Sequence, residues 1–103
     1  MNSYYQGLIN RLRAGEIVYH RGHGNSMMPL IKSGQLQTLE PVDKYTILVI
    51  GDIVLCKVGK SIYTHKITAI SNDSKFQISN NKGHVNGWIG KSNIYGKVID
   101  LEE

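Results

Sequence analysis

The chain predicts a mainly β fold, a mostly antiparallel domain of about six short strands preceded by one short helix. Three observations carry this expectation. Short β-branched and aromatic runs recur along residues 16–101, separated by Gly, Asn, Asp and Ser. Glycine is frequent, at 11 residues, while proline occurs twice, so turns outnumber rigid linkers. Helical periodicity is confined to the first 13 residues, where Tyr4, Tyr5, Leu8, Ile9 and Leu12 fall on one face.

Each element follows from local chemistry. Ser3 caps the predicted helix over 3–13. Gly15 stops it, and Arg11 and Arg13 suit the negative end of its dipole. Strands are expected at Glu16–His20, Gln35–Pro41, Ile53–Val58, Ile62–Ile70, Lys75–Ser79 and Tyr95–Leu101. Gly59-Lys60 and Asn72-Asp73 read as two-residue hairpin turns flanking the Ile62–Ile70 strand. Asn80–Gly87 reads as a polar loop ending in the turn signal Asn86-Gly87, with Trp88 as a packing anchor for the last loop. A length of 103 residues fits one domain, divided into the helix (1–15) and the β-domain (16–103).

Composition narrows the function classes. The longest apolar run, Ile47-Leu48-Val49-Ile50, is strand-sized and far below the roughly 20 residues of a membrane span, so no membrane anchor is expected. The first residues lack the apolar core of a signal peptide, and a soluble cytoplasmic protein is the expectation. Cys56 stands alone, which rules out an internal disulfide, and its apolar strand context suggests packing. The net charge of +4 comes from basic residues scattered between Arg11 and Lys97, a pattern of solvated surface that argues against nucleic acid as the partner. His20 and His23 lie three apart, but nothing else gathers with them as zinc would require, so no metal is assigned.

Three segments carry candidate chemistry. Gly24-Asn25-Ser26-Met27-Met28-Pro29 places a hydroxyl on a bend constrained by Gly22, Gly24 and Pro29. Gly51-Asp52-Ile53-Val54 opens a strand. Tyr63-Thr64-His65-Lys66-Ile67 carries an imidazole on another. A serine hydroxyl becomes a useful nucleophile only when a neighbouring base removes its proton. Alternate residues of a strand share a face, so His65 and Lys66 point oppositely and only one of them can meet Ser26. The His65 face, with Tyr63, Ile67 and Ala69, is the more apolar and is assigned inward. From the residues alone, Ser26 reads first as a turn or helix cap, the commonest use of Ser before a helical turn, and His65 can be read as a buried, hydrogen-bonded strand histidine. Met27 and Met28 suit either a core or a hydrophobic cleft.

In order and spacing these segments resemble the signal peptidase and LexA-type serine peptidases, over roughly residues 16–101. The resemblance implies an antiparallel β-domain of that kind, with Ser26 as nucleophile and His65 as base, the variant that carries His in place of Lys. It implies an extended peptide or a protein as substrate, no cofactor, and an origin like the accessory proteins of phages or mobile elements. It places Asn81 where relatives use an Asp to orient the histidine. The oxyanion falls to the Ser26 N–H, with the Asn25 amide beside it, because Gly24 offers no side-chain donor. Asn81 in place of Asp implies weak or absent catalysis, and hence an alternative: an inactive peptidase-fold module that binds a partner protein. Ala14-Gly15 matches the dipeptide at which LexA-type proteins cut themselves, although Gly15 already serves as the helix stop.

Overall fold

The computed structural model describes residues 3–102 and is mainly antiparallel β with one short helix. The helix α1 spans Ser3–Arg13. Seven strands come after it: β1 (Val18–Arg21), β2 (Leu36–Pro41), β3 (Ile53–Val58), β4 (Ser61–Ile70), β5 (Phe76–Ser79), β6 (Val85–Ile89) and β7 (Ile94–Leu101). They form one sheet in the order β1-β2-β7-β3-β4-β5-β6, and every neighbouring pair is antiparallel. β3 and β6 also touch although they are not ladder neighbours, so the sheet curls on itself.

Helix α1 ends as its sequence dictates. Gly15 takes φ 86°, the Gly15 N–H donates to Leu12 O, and the Glu16 N–H donates back to Arg11 O at 3.0 Å. These two bonds satisfy carbonyls that the helix end would otherwise strand. The Ala14-Gly15 bond is therefore part of the helix cap. Leu8, Ile9 and Leu12 face inward and meet Val18, Leu39, Leu55 and Tyr95. Gly96 of β7 allows the close approach: a Cβ there would lie 2.9 Å from Leu12 Cδ1. On the other face Val54, Cys56, Ile67, Phe76, Ile78 and Ile89 form a second cluster with Leu48 and Ile94. The run Val54-Leu55-Cys56 thus feeds both clusters in alternation, the pattern of a central strand covered on both sides.

Two turns differ from expectation, and one strand was not foreseen. Gly59-Lys60 does close a two-residue hairpin, with Val58 opposite Ser61 and Gly59 at φ 60°. Asn72-Asp73 does not: Ile70 pairs with Phe76, so residues 71–75 form a longer loop. Ser71 Oγ holds that loop by accepting from the Lys75 N–H at 3.0 Å, and Ser74 takes φ 62°. The region read as a polar loop with a terminal Asn-Gly turn contains β6 instead. Asn86 and Gly87 lie inside that strand, not at a turn, and Trp88 is half exposed rather than a buried anchor. Ile47–Ile50 is not a strand. Only Leu48 turns inward, and the Val49 N–H is held by Asp52 Oδ2 at 2.8 Å. Asp52 also pairs with Lys97 at 3.6 Å, and Gly51-Asp52 exchanges two 2.8 Å backbone bonds with Ile67. No helix among the described residues is long and apolar enough to cross a membrane.

Candidate functional site

The loop between β1 and β2 presents Ser26 to solvent. It is pinned at its base by the Gly34 N–H donating to Gly22 O (2.8 Å), by Arg21 Nη1 donating to Gly34 O (2.7 Å), and by the Gly24 N–H donating to Ser33 Oγ (3.0 Å). Past Ser26 the chain makes a tight turn that includes the cis Met28-Pro29 bond, the Ile31 N–H donating to Met27 O. A capping serine would accept a backbone N–H from this turn. The Ser26 Oγ accepts none among the described residues, and it faces an imidazole instead.

That imidazole is His65. Its Nε2 lies 3.1 Å from Ser26 Oγ, and its Nδ1 lies 2.7 Å from Asn86 Oδ1. An amide oxygen only accepts, so Nδ1 carries the proton and Nε2 presents its lone pair to the serine. The Ser26 hydroxyl therefore donates to Nε2, the arrangement a general base requires. His65 is buried, sits opposite Val54 on β3, and stacks on Tyr63 with ring centroids 4.6 Å apart. Burial lowers its pKa from the ordinary value. The Asn86 hydrogen bond opposes that shift, and the nearby His84 adds to it. The net shift favours the neutral ring, the form that takes a proton.

Asn86 reaches His65 because β6 is bulged. Gly87 pairs with Ile78 and Val85 pairs with Ser79, which leaves Asn86 as the extra residue between them. A bulge of this kind re-aims a side chain that regular pleating would direct elsewhere. Gly87 makes the bulge feasible. It has φ 153°, and a Cβ there would lie 3.0 Å from Val58 Cγ1.

The residue assigned to orient the histidine, Asn81, does something else. Its Nδ2 donates to Met28 O at 2.9 Å, its backbone N–H donates to Ser26 O at 2.8 Å, and its Oδ1 accepts from Lys66 Nζ at 2.9 Å. Asn81 therefore braces the serine loop, and Asn86 occupies the orienting position. The reason is topological. β5 ends at Ser79, the chain turns through 80–84, and β6 returns alongside with its bulge at the height of His65. Sequence reasoning missed Asn86 because an Asn-Gly pair is read as a turn. The signal available was that Val85–Ile89 carries strand-forming residues on both sides of that pair. Asn81→Ala removes two side-chain hydrogen bonds, each worth about 0.5–1.5 kcal/mol. Thermal unfolding of that variant should register the loss, with proteolytic nicking rising in the 22–35 loop. An unchanged melting temperature and cleavage pattern would refute the bracing role.

The remaining predicted residues divide. Met27 is buried and Met28 half exposed, on either side of the serine. Asn25 is exposed, and its carbonyl accepts the Met28 N–H at 3.2 Å. The Ser26 N–H has no acceptor among the described residues, which leaves it available as an oxyanion donor. Beside the pair opens a cavity of about 170 Å³ lined by His20, Met27, Ile31, Gln37 and Tyr63 among others. His20 is buried there, its Nδ1 2.8 Å from the Tyr4 hydroxyl, and burial lowers its pKa with His23 adding to the effect. His23 itself is exposed. Cys56 lies in the core with its thiol pushed up to about 12 by burial, so it is not a competing nucleophile. Among the described residues no three His, Cys, Asp or Glu side chains gather as a metal site. Compared with known proteins, the chain matches no family model, no curated protein and no solved structure.

Proposed function

We propose that this chain is a serine peptidase-like protein of the signal peptidase and LexA type, acting on an extended peptide. The observation that carries this reading is the continuous relay Ser26 Oγ–His65 Nε2 at 3.1 Å and His65 Nδ1–Asn86 Oδ1 at 2.7 Å. Ser26 attacks the peptide carbonyl carbon while His65 takes the hydroxyl proton. The tetrahedral oxyanion is received by the Ser26 N–H. His65 then gives its proton to the leaving amine, and water releases the acyl group by the same route in reverse. Asn86 fixes the tautomer. Such acyl transfer needs no cofactor. The unpaired edge of β6, with Val85 and Trp88 exposed, offers backbone groups along which an extended peptide can add as a strand. A cytoplasmic setting fits the single, buried and reduced Cys56.

One observation favours a second reading. Asn86 is neutral, so it cannot stabilise the imidazolium that forms as His65 accepts a proton. A slow enzyme, or a module whose serine cleft only holds a partner protein, follows from that. A fluorophosphonate probe separates the two. The expected result is covalent labelling of the wild-type protein at Ser26 and none of Ser26→Ala. Labelling that persists in Ser26→Ala, or an unlabelled wild type, would defeat the peptidase reading and leave the binding module.

A further inference from the structure

Asn86 has a second chemical property, set by its neighbour. It is the only asparagine in the chain followed by glycine. It stands as the extra residue of the bulge on β6, an edge strand with a ladder neighbour on one side only. Asn86 and Gly87 are half buried, within reach of water. Gly87 brings no side chain against its own backbone nitrogen, the atom that attacks in succinimide formation. The carbon under attack is already polarised, because the His65 Nδ1–H donates to Asn86 Oδ1 at 2.7 Å.

We propose that Asn86 is a self-modification site, converted to aspartate in the folded protein, and that this conversion completes a Ser26–His65–carboxylate triad. The Gly87 nitrogen adds to Asn86 Cγ, forming a C–N bond and losing its proton. The Cγ–Nδ2 bond breaks and ammonia leaves. Water then adds to Cγ of the cyclic imide and the new C–N bond opens, restoring the Gly87 peptide and leaving a carboxylate at position 86. The net change is amide plus water giving acid plus ammonia, with no oxidant or reductant. The carboxylate oxygen takes the place from which Oδ1 now accepts the Nδ1–H. A negative charge there favours the protonated imidazole and strengthens the base. The other groups bearing on His65 are the Ser26 hydroxyl, the stacked Tyr63 ring and His84, and none of them is a carboxylate. Lys66, the next residue on β4, is directed to Asn81. The catalytic consequence rests on the peptidase reading; the conversion and its effect on His65 do not.

The test ages the full-length wild-type protein in mildly alkaline buffer. Peptide mass spectrometry with electron-transfer fragmentation then resolves Asn, Asp and isoaspartate at each asparagine. NMR titration of the His65 ring is carried out on fresh protein, aged protein and Asn86→Asp. The expected result is aspartate at 86 ahead of Asn25, Asn72, Asn80 and Asn81, with His65 titrating at higher pH in the aged protein and in Asn86→Asp than in fresh protein. Retention of the amide at 86, conversion only to isoaspartate, or a His65 titration that stays put would overturn the proposal. Fluorophosphonate labelling of the same three samples reports separately on catalysis, and a rise of about tenfold or more is expected with the carboxylate in place. If His65 shifts and no sample is labelled, the peptidase reading falls and the modification site stands.

Discussion

His65→Ala should reduce fluorophosphonate labelling of Ser26 by about 10²–10⁴-fold, the span that a positioned general base contributes. The reason is geometric. Nε2 at 3.1 Å is the proton acceptor within reach of the Ser26 hydroxyl, and Asn86 holds the ring in the tautomer that leaves that nitrogen bare. The pH profile of the wild-type protein supplies a readout that misfolding would not imitate. The base works when neutral, so labelling should rise with pH as His65 loses its proton. Burial lowers the His65 pKa, so the inflection should fall below the value of about 6.5 for an unperturbed histidine. His65→Ala should lack that inflection. A variant labelled within a few-fold of wild type, or one retaining the same inflection, would remove His65 from the chemistry.

Leu55→Ala should produce the largest loss of stability among single truncations at the helix–sheet contact, about 2–5 kcal/mol. Leu55 is fully buried on β3, opposite Thr64 on one side and Gly96 on the other. It packs in the cluster formed by Leu8, Ile9 and Leu12 of α1 with Val18, Leu39 and Tyr95. Shortening it opens a void between a helix and a sheet, neither of which can collapse freely: α1 is already in close contact at Gly96, and β3 is bonded on both edges. Against a typical total of about 5–15 kcal/mol this is a large fraction. It corresponds to a fall in melting temperature of at least about 8 °C for a domain of this size. Ile99→Ala, half exposed on β7, should stay within about 0.5 kcal/mol of wild type. Equal melting temperatures for Leu55→Ala and wild type would show that the helix does not seal this face of the sheet.

Local sequence was a good guide wherever one residue type decides the conformation. Ile53–Val58 is a strand with the bounds its composition suggested, because its apolar side chains alternate between two cores. The helix stops at Gly15 because a left-handed residue is needed there. Gly59-Lys60 turns because Gly59 tolerates φ 60°. The guide failed where the same dipeptide serves two geometries. Asn-Gly forms a tight turn when its flanking strands pair with each other. Here Val85 and Gly87 instead pair with Ser79 and Ile78 of a strand already laid down, and the pair becomes a bulge. Ile47–Ile50 shows the same limit of local composition: its hydrophobicity suits a strand, but the described sheet offers it no ladder partner.

By itself, then, the sequence determined the mainly β architecture and the amino-terminal helix, because periodicity and glycine placement are properties of neighbouring residues, whereas the facing of Ser26 and His65 was implied only by the resemblance of ordered motifs. Only the tertiary structure decided that Asn86 rather than Asn81 meets His65, and that Asn81 ties the serine loop to Lys66. Both contacts join residues far apart in the chain, and their partners depend on a one-residue offset in the β5–β6 register. That offset is set by long-range strand pairing and by the room Gly87 leaves beside Val58, which local propensity does not encode.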